Sequence, residues 1–187
     1  MGGHPADPAT ARKGEWLYSF WLRSMIGGWL NAWRLENKRL DGNWFSWDNL
    51  MLRFFLLQIA MVLLVGLVFS LKAAIAFLAV AFVGALLLET VNYLEHYGLQ
   101  RKELRPGVYE PVNLTHSWNS DHPVGRIVLY ELTRHADHHY RASRKYQVLR
   151  HVENSPQLPT GYPGMVLLSL IPPLWFKVMD RRLPSEV

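Results

Sequence analysis

The fold is decided by residues 51–88, which read MLRFFLLQIAMVLLVGLVFSLKAAIAFLAVAFVGALLL. Residues 51–71 are almost wholly apolar apart from Arg53 and one glutamine, and residues 73–88 are apolar again beyond Lys72. Each run approaches the ~20 residues that an α-helix needs to cross the hydrocarbon core of a bilayer. Together they predict a transmembrane helical hairpin with a very short turn at residues 70–72.

Lysine and arginine lie at the outer ends of this hairpin, with a single cation, Lys72, at its turn. The flanking cations are Arg34, Lys38, Arg39 and Arg53 before the first run, and Arg101, Lys102 and Arg105 after the second. By the positive-inside rule, both long polar segments and therefore both termini are expected in the cytoplasm.

Residues 15–39 mix tryptophan with cations, which predicts an amphipathic helix at the membrane interface. The apolar residues recur at helical spacing: Trp16, Phe20, Ile26, Trp29, Leu30 and Trp33. In isolation this pattern also fits a helix on a soluble core, and the apolar runs that follow decide for the membrane. The sequence pI of about 9.6 then reflects cations that flank the spans and face anionic lipid, so no nucleic-acid partner is expected.

Residues 134–139, RHADHH, place histidines at i, i+3 and i+4. On a helix His135, His138 and His139 share one face, and residues 127–132 are expected to lead into that helix. Neutral imidazole is a common ligand for iron, copper and zinc, so a metal site is predicted. A solvated helix that simply carries several histidines is the plainer alternative. The absence of cysteine excludes disulfides and thiolate metal sites.

The second apolar run continues into residues 89–98, ETVNYLEHYG, and Gly98 at its end is expected to cap the helix. On a continuing helix Glu89, Asn92 and His96 share a face with Glu95 beside it, and an ionisable residue at the end of a membrane helix indicates a functional site. Taken alone, Glu89 and His96 fit side chains that reach for the membrane interface. With the histidine triad farther along, a shared metal site is the better interpretation.

Further polar residues lie in the loop 114–122, and the run 165–178 is apolar. His116, Asp121 and His122 are interpreted first as hydrogen-bond partners of the ligands, then as loop residues, and last as ligands. The run 165–178 is too short to span a membrane and is broken by consecutive prolines, so it is expected to be an interfacial or packing segment.

Several of these motifs match a known family. Residues 92–99, NYLEHYGL, resemble the HYG motif of the membrane alkane hydroxylases (alkane 1-monooxygenases) of the fatty acid desaturase and hydroxylase superfamily, and residues 132–139, LTRHADHH, resemble their last histidine box. Residues 119–122, NSDH, resemble the segment between the two, and residues 7–12 and 33–36 also fit. The resemblance covers nearly the whole chain.

The resemblance implies an all-α integral membrane protein of the bacterial inner (cytoplasmic) membrane. One transmembrane hairpin and cytoplasmic histidine-bearing helices would form part of a six-helix alkane hydroxylase fold. The expected segments are an interfacial segment 1–50, a hairpin 51–95 and a metal-binding region 96–187.

The chemistry that the resemblance implies is the O2-dependent terminal hydroxylation of medium-chain alkanes at a di-iron centre, with rubredoxin and rubredoxin reductase as electron donors. The matching iron ligands are His96, His135, His138 and His139. The residues expected to hold those ligands through hydrogen bonds are Glu89, Asn92, Glu95, His116, Asp121, His122 and Asp137.

The chain departs from the family in lacking two earlier histidine boxes, of the HELxH and EHxxGHH kinds. It is therefore expected to be the C-terminal portion of such an enzyme, with too few ligands to complete a di-iron centre alone. A fatty acyl desaturase, a xylene-type monooxygenase and an inactive truncated remnant are the alternatives, and the HYG motif favours the alkane branch over the first two.

Overall fold

The structure is a computed structural model that describes residues 3–184. The first two residues of the predicted interfacial segment and the last three of the predicted metal-binding region lie outside it. The helices are α1 (Leu17–Arg39), α2 (Leu50–Val68), α3 (Leu71–His96), α4 (Pro123–Val128), α5 (His135–Tyr140), α6 (Tyr162–Ser169) and α7 (Pro172–Met179). Short strands β1 (Glu103–Arg105) and β2 (Val108–Tyr109) pair antiparallel, and 3₁₀ turns cover Tyr146–Val148 and Asp180–Arg182. The predicted helical fold is confirmed.

Helix α2 begins where buried polar groups cap its first turn. The Asn49 side chain accepts a hydrogen bond from the Leu52 amide at 3.0 Å, and the Glu36 carboxylate accepts one from the Leu50 amide at 2.6 Å. Arg39 in turn donates to Glu36 at 2.7 Å. These contacts satisfy amide groups that would otherwise lack partners at the start of an apolar helix.

The turn of the hairpin lies slightly earlier than predicted. Helix α2 ends at Val68 and α3 begins at Leu71, so the break is Phe69–Ser70 rather than residues 70–72. The Ser70 hydroxyl accepts a hydrogen bond from the Ala73 amide at 3.1 Å. This cap lets α3 begin at once.

Helices α2 and α3 are long and apolar enough to cross a membrane. No residue of α2 is buried, and large apolar side chains such as Leu67 (86% exposed) and Val80 (72% exposed) face outward. A core helix of a soluble protein would bury such side chains. The exposed apolar surface therefore fits a lipid environment.

The chain divides into two compact units. The apolar unit is Met25–Leu88, and the histidine unit combines the residues up to Ser24 with those from Glu89 onward. The core of the histidine unit is rich in aromatic residues: Phe20, Tyr93, Tyr97, Trp118 and Trp175 are all buried.

Helix α3 ends at His96, and the next residues fix that end. The Tyr97 hydroxyl donates to Asp180 Oδ1 at 2.7 Å and accepts the Gly14 amide at 2.9 Å, while the Tyr97 carbonyl accepts the Trp118 indole N–H at 2.8 Å. Gly98 adopts a positive φ of 68°, which confirms the predicted glycine cap.

The expectation that residues 127–132 lead into the triad helix is wrong. Helix α4 ends at Val128, and Tyr130 and Glu131 take left-handed φ values of 50° and 62°. The turn is closed by the Glu131 carboxylate, which pairs with Arg126 Nε at 2.8 Å. The apolar residues of the run 127–132 do not indicate that an ion pair between Glu131 and Arg126 closes a turn here.

The apolar run 165–178 is divided as expected. Helices α6 and α7 are separated near Ile171, and prolines occupy the first turn of α7. Met165 and Trp175 are fully buried in the core of the histidine unit. The packing interpretation of this run is confirmed.

Changing Gly98 to Ala should lower the apparent unfolding temperature. An added Cβ would stand 2.7 Å from a Leu183 methyl group, and the backbone at Gly98 has the left-handed conformation that side chains rarely adopt. The expected cost is about 1–3 kcal/mol. Gly14→Ala is the control, because Gly14 has a similar φ of 74° with nothing within 4 Å of the added Cβ. Thermal unfolding in detergent measures both, and equal losses would contradict the clash.

Candidate metal centre

Helix α5 carries the predicted triad but is only six residues long, from His135 to Tyr140. A helix this short is unstable alone, so tertiary contacts must hold it. Asn119 Oδ1 accepts the Ala136 amide at 2.8 Å, and the Asn119 side-chain amide donates to Ser155 Oγ at 2.9 Å. Asn119 thus connects the first turn of α5 to its own loop, which precedes the helix, and to the loop at Ser155, which follows it.

Asp137 anchors the same helix from its other side. Its fully buried carboxylate receives the Arg144 guanidinium, the Arg150 backbone amide at 3.0 Å and the Arg150 guanidinium at 3.3 Å. Burial alone would raise the pKa of Asp137, but the hydrogen bonds from Arg150 and Arg144 outweigh it and hold the pKa below its ordinary value of 3.8.

Three imidazole rings converge on one point. His135 Nε2 lies 3.2 Å from His96 Nε2 and 2.8 Å from His139 Nε2. The ligand atoms of these three histidines all lie within 4.8 Å of one another. Donor nitrogens about 2.1 Å from one metal stand roughly 3 Å apart, so the spacing suits a shared ion.

The electrostatics keep these rings neutral. His96 and His135 are buried, and His139 is partly buried. Burial lowers the pKa of His135 well below its ordinary value, and burial with the neighbouring His96 and His138 lowers the pKa of His139 to about 3. Neutral imidazoles present lone pairs at physiological pH, which is the form that binds metals.

The donor set fits a cation better than hydrogen bonds alone. His135 Nε2 has three near neighbours: His96 Nε2, His139 Nε2 and, at 3.2 Å, Glu95 Oε2. A single proton on that nitrogen can serve one neighbour at a time. A metal ion would satisfy the three ring nitrogens together.

His138 stands at the edge of the cluster. Its ring centroid is 5.7 Å from that of His135 and 5.5 Å from that of His139, and the ring is partly exposed. Its ligand atoms are not among the three that converge. Its role as a ligand stays a prediction.

Of the residues predicted to support the ligands, Glu95 touches the cluster and Asp137 anchors its helix. Others have partners elsewhere: His116 Nε2 contacts Glu110 at 3.0 Å, and Asp121 pairs with Arg134 at 2.8 Å. Neither side chain makes the predicted contact with the ligands, although the His116 backbone forms a hydrogen bond with the His96 ring.

The remaining three predicted supports also lie outside the converging group. Glu89 accepts a hydrogen bond from the Ser24 hydroxyl. His122 immediately precedes α4 and lines a solvent-facing pocket with Ser120, and Asn92 is partly buried.

Tyr162 was missed by sequence reasoning. It is buried at the start of α6, and its hydroxyl donates to Glu95 Oε1 at 2.8 Å. A single tyrosine far along the chain has no spacing relation to a histidine motif. Asn119 belongs to the NSDH segment, yet its hydrogen bonds to Ala136 and Ser155 depend on contacts that only the fold reveals.

Comparisons with known proteins agree with the geometry. The sequence model of the fatty acid desaturase family matches residues 1–169. Alkane 1-monooxygenase 1 of Pseudomonas aeruginosa is 47% identical over 181 residues, which cover 95% of this chain and 47% of that protein. Alkane 1-monooxygenase of Acinetobacter baylyi is 41% identical, over 95% of this chain and 44% of that protein. The xylene/toluene monooxygenase hydroxylase component of Pseudomonas putida is 30% identical, over 95% of this chain and 47% of that protein. The chain spans about half the length of these relatives.

Changing Asp137 to Asn should destabilise the histidine unit by about 1.5–3 kcal/mol, because it removes the charge from the hydrogen bonds that this buried carboxylate accepts from Arg144 and Arg150. Since the pKa of Asp137 is lowered, its contribution is complete above pH 3.8 and is lost as the pH falls through the lowered value. Measuring the free energy of unfolding against pH, in the native chain and in the Asp137→Asn variant, checks this.

The control for that change is Glu131→Gln, which removes a partly exposed ion pair to Arg126. It should cost no more than about 1 kcal/mol. A loss at Glu131 equal to that at Asp137 would contradict the anchoring role.

Proposed function

This chain belongs to the fatty acid desaturase family, and we propose that it forms the metal-binding part of an alkane 1-monooxygenase that hydroxylates terminal methyl groups with O2. The observation that carries the proposal is the convergence of the His96, His135 and His139 ligand atoms within 4.8 Å. The names of its relatives support the reaction class. A xylene-type enzyme is less well supported, at 30% identity against 41–47%.

Iron is the metal that we propose for this cluster. Imidazole and carboxylate donors suit iron, and a chain without cysteine offers no thiolate site for a softer ion. Bound iron would supply the reductive activation of O2 and the delivery of one oxygen atom to a C–H bond. The chain's own task is to hold neutral ring nitrogens in place, in surroundings that exclude water.

The proposed centre in the whole enzyme is di-iron. His138, at the rim of the cluster, is proposed as a further ligand, because its ring centroid lies 5.7 Å from that of His135 and 5.5 Å from that of His139. The ligands of a second iron are proposed to come from the part of the whole protein that this chain does not span.

The proposed substrate is a medium-chain alkane. An unactivated methyl group has no polar atom that the enzyme could bind through a hydrogen bond. Selectivity must therefore come from an apolar wall that directs the end of the alkane chain toward the metal. Helices α2 and α3 offer apolar surface of this kind, with small residues at Ala79, Gly84 and Ala85. An alkane of this length would partition into the hydrocarbon core of the bilayer around these helices.

The reaction also consumes a pair of electrons for each O2. We propose rubredoxin and rubredoxin reductase as the donors, following the resemblance of the histidine motifs. The proposed location is the bacterial inner membrane, with both termini in the cytoplasm, supported by the cations that flank α2 and α3.

The topology can be checked with reporter fusions. A reporter joined at Lys72, in the hairpin turn, should be on the periplasmic side, and one joined at Glu103 should be cytoplasmic, because cations resist translocation. An alkaline phosphatase and green fluorescent protein pair distinguishes the two sides. The same side for both positions would contradict the hairpin.

The activity can be tested by joining this chain, in membranes, with the portion of the Pseudomonas aeruginosa relative that it does not match. With NADH, reductase and rubredoxin, the pair should form 1-alkanol from a medium-chain alkane. His135→Ala should reduce product by more than the ~10–100-fold that loss of a supporting contact costs. His151→Ala is the control, since this exposed residue lies outside the cluster. Full turnover by the His135 variant would refute the site.

A further inference from the structure

Glu95 is a buried carboxylate that lacks a cationic side chain. It is 1% exposed, and no lysine or arginine among residues 3–184 forms an ion pair with it. An ionised carboxylate in such surroundings is costly unless a cation compensates it. The other buried carboxylate of this region, Asp137, has its arginines. Among residues 3–184, the ion-pair partner recorded for Glu95 is His135 of the histidine cluster.

The two oxygens of Glu95 have different neighbours. Oε1 accepts the Tyr162 hydroxyl at 2.8 Å, whereas Oε2 lies 3.2 Å from His135 Nε2. That second distance equals the separation between His135 Nε2 and His96 Nε2. Oε2 is therefore as far from His135 Nε2 as the His96 ring nitrogen is, and this is the spacing expected between two donors to one ion.

We propose that Glu95 is a donor to the metal held by His96, His135 and His139, and that Tyr162 is a positioning residue that orients its carboxylate. The inference rests on the proposed function, because it needs a metal at the histidine cluster. The resulting site has neutral nitrogens and one anionic oxygen on this chain.

Tyr162 has the placement that such a role requires. Its side chain is 3% exposed, and it lies in the first turn of α6, where its hydroxyl reaches α3. By holding Oε1, the hydroxyl leaves Oε2 directed toward His135. Backbone contacts help, because the Glu95 carbonyl accepts the Trp118 amide at 2.8 Å.

The chemical consequence concerns the charge of the site. A carboxylate donor cancels one unit of the positive charge of a divalent ion inside a buried site. An anionic oxygen donor also favours harder ions over Cu(I). The chain would therefore select its metal partly through Glu95.

The test uses the full 187-residue chain in detergent, with Co²⁺ as the probe. Chelator competition gives the affinity, and the visible absorption of Co²⁺ reports the donor atoms. Glu95→Gln keeps the shape and an acceptor for Tyr162 but removes the charge. It should weaken Co²⁺ binding by more than the ~10–100-fold typical of groups outside the coordination sphere, and should shift the absorption bands.

Tyr162→Phe should weaken Co²⁺ binding by about 10–100-fold and move the bands in the same direction. Tyr18→Phe is the control, since that hydroxyl also donates a hydrogen bond, to the Leu170 carbonyl at 2.8 Å, and Tyr18 is not part of the cluster. It should leave the affinity and the spectrum unchanged. If the Glu95 variant fails to fold by thermal unfolding, the spectral shift of Tyr162→Phe carries the test.

Affinity and spectrum identical to the native chain in both Glu95→Gln and Tyr162→Phe would overturn the inference. A loss at Glu95 of less than about 100-fold with unchanged bands would overturn its assignment as a donor. His135→Ala separates the two levels: if it binds Co²⁺ like the native chain, the proposed centre fails, and if it alone abolishes binding, the centre stands without Glu95.

Discussion

The histidine unit depends on bringing the ends of two distant segments to within 3.2 Å, the distance between His96 Nε2 and His135 Nε2. His96 is the last residue of a long helix, and His135 is the first residue of a very short one. Rings that approach this closely in a dry interior must stay neutral, because adjacent imidazolium ions would repel one another. The lowered pKa values of His135 and His139 express that constraint.

The surrounding polar contacts are arranged to meet this requirement. Asn119 bonds to the start of α5, and Asp137 joins the helix to the loop that carries Arg144 and Arg150. On the other side, Trp118 bonds to the carbonyls of Glu95 and Tyr97. One short loop thus contacts both segments that bring histidines to the cluster, and this accounts for the burial of so many polar groups in the unit.

The sequence predicted the features that follow from a repeated spacing of residues or from the length of an apolar run. Apolar runs gave α2 and α3, the spacing of His135 and His139 gave a shared helical face, and Gly98 marked a helix end. It did not predict the turn at Glu131 or the contact of Tyr162 with Glu95, because each depends on one side chain meeting a partner that no local pattern specifies. His116 and Asp121 were plausible supports by type, but nearer partners, Glu110 and Arg134, take their polar atoms.

The brevity of α5 has a thermodynamic consequence. A six-residue helix contributes little stability of its own, yet it contributes two of the three converging nitrogens. Any ion that binds only the assembled cluster then adds its binding free energy to the folding of the unit, about 2.7 kcal/mol at a free concentration one hundred times the dissociation constant. If the cluster binds such an ion, the local order of α5 and the occupancy of the site would be linked, so that metal binding would favour the folded form of this segment.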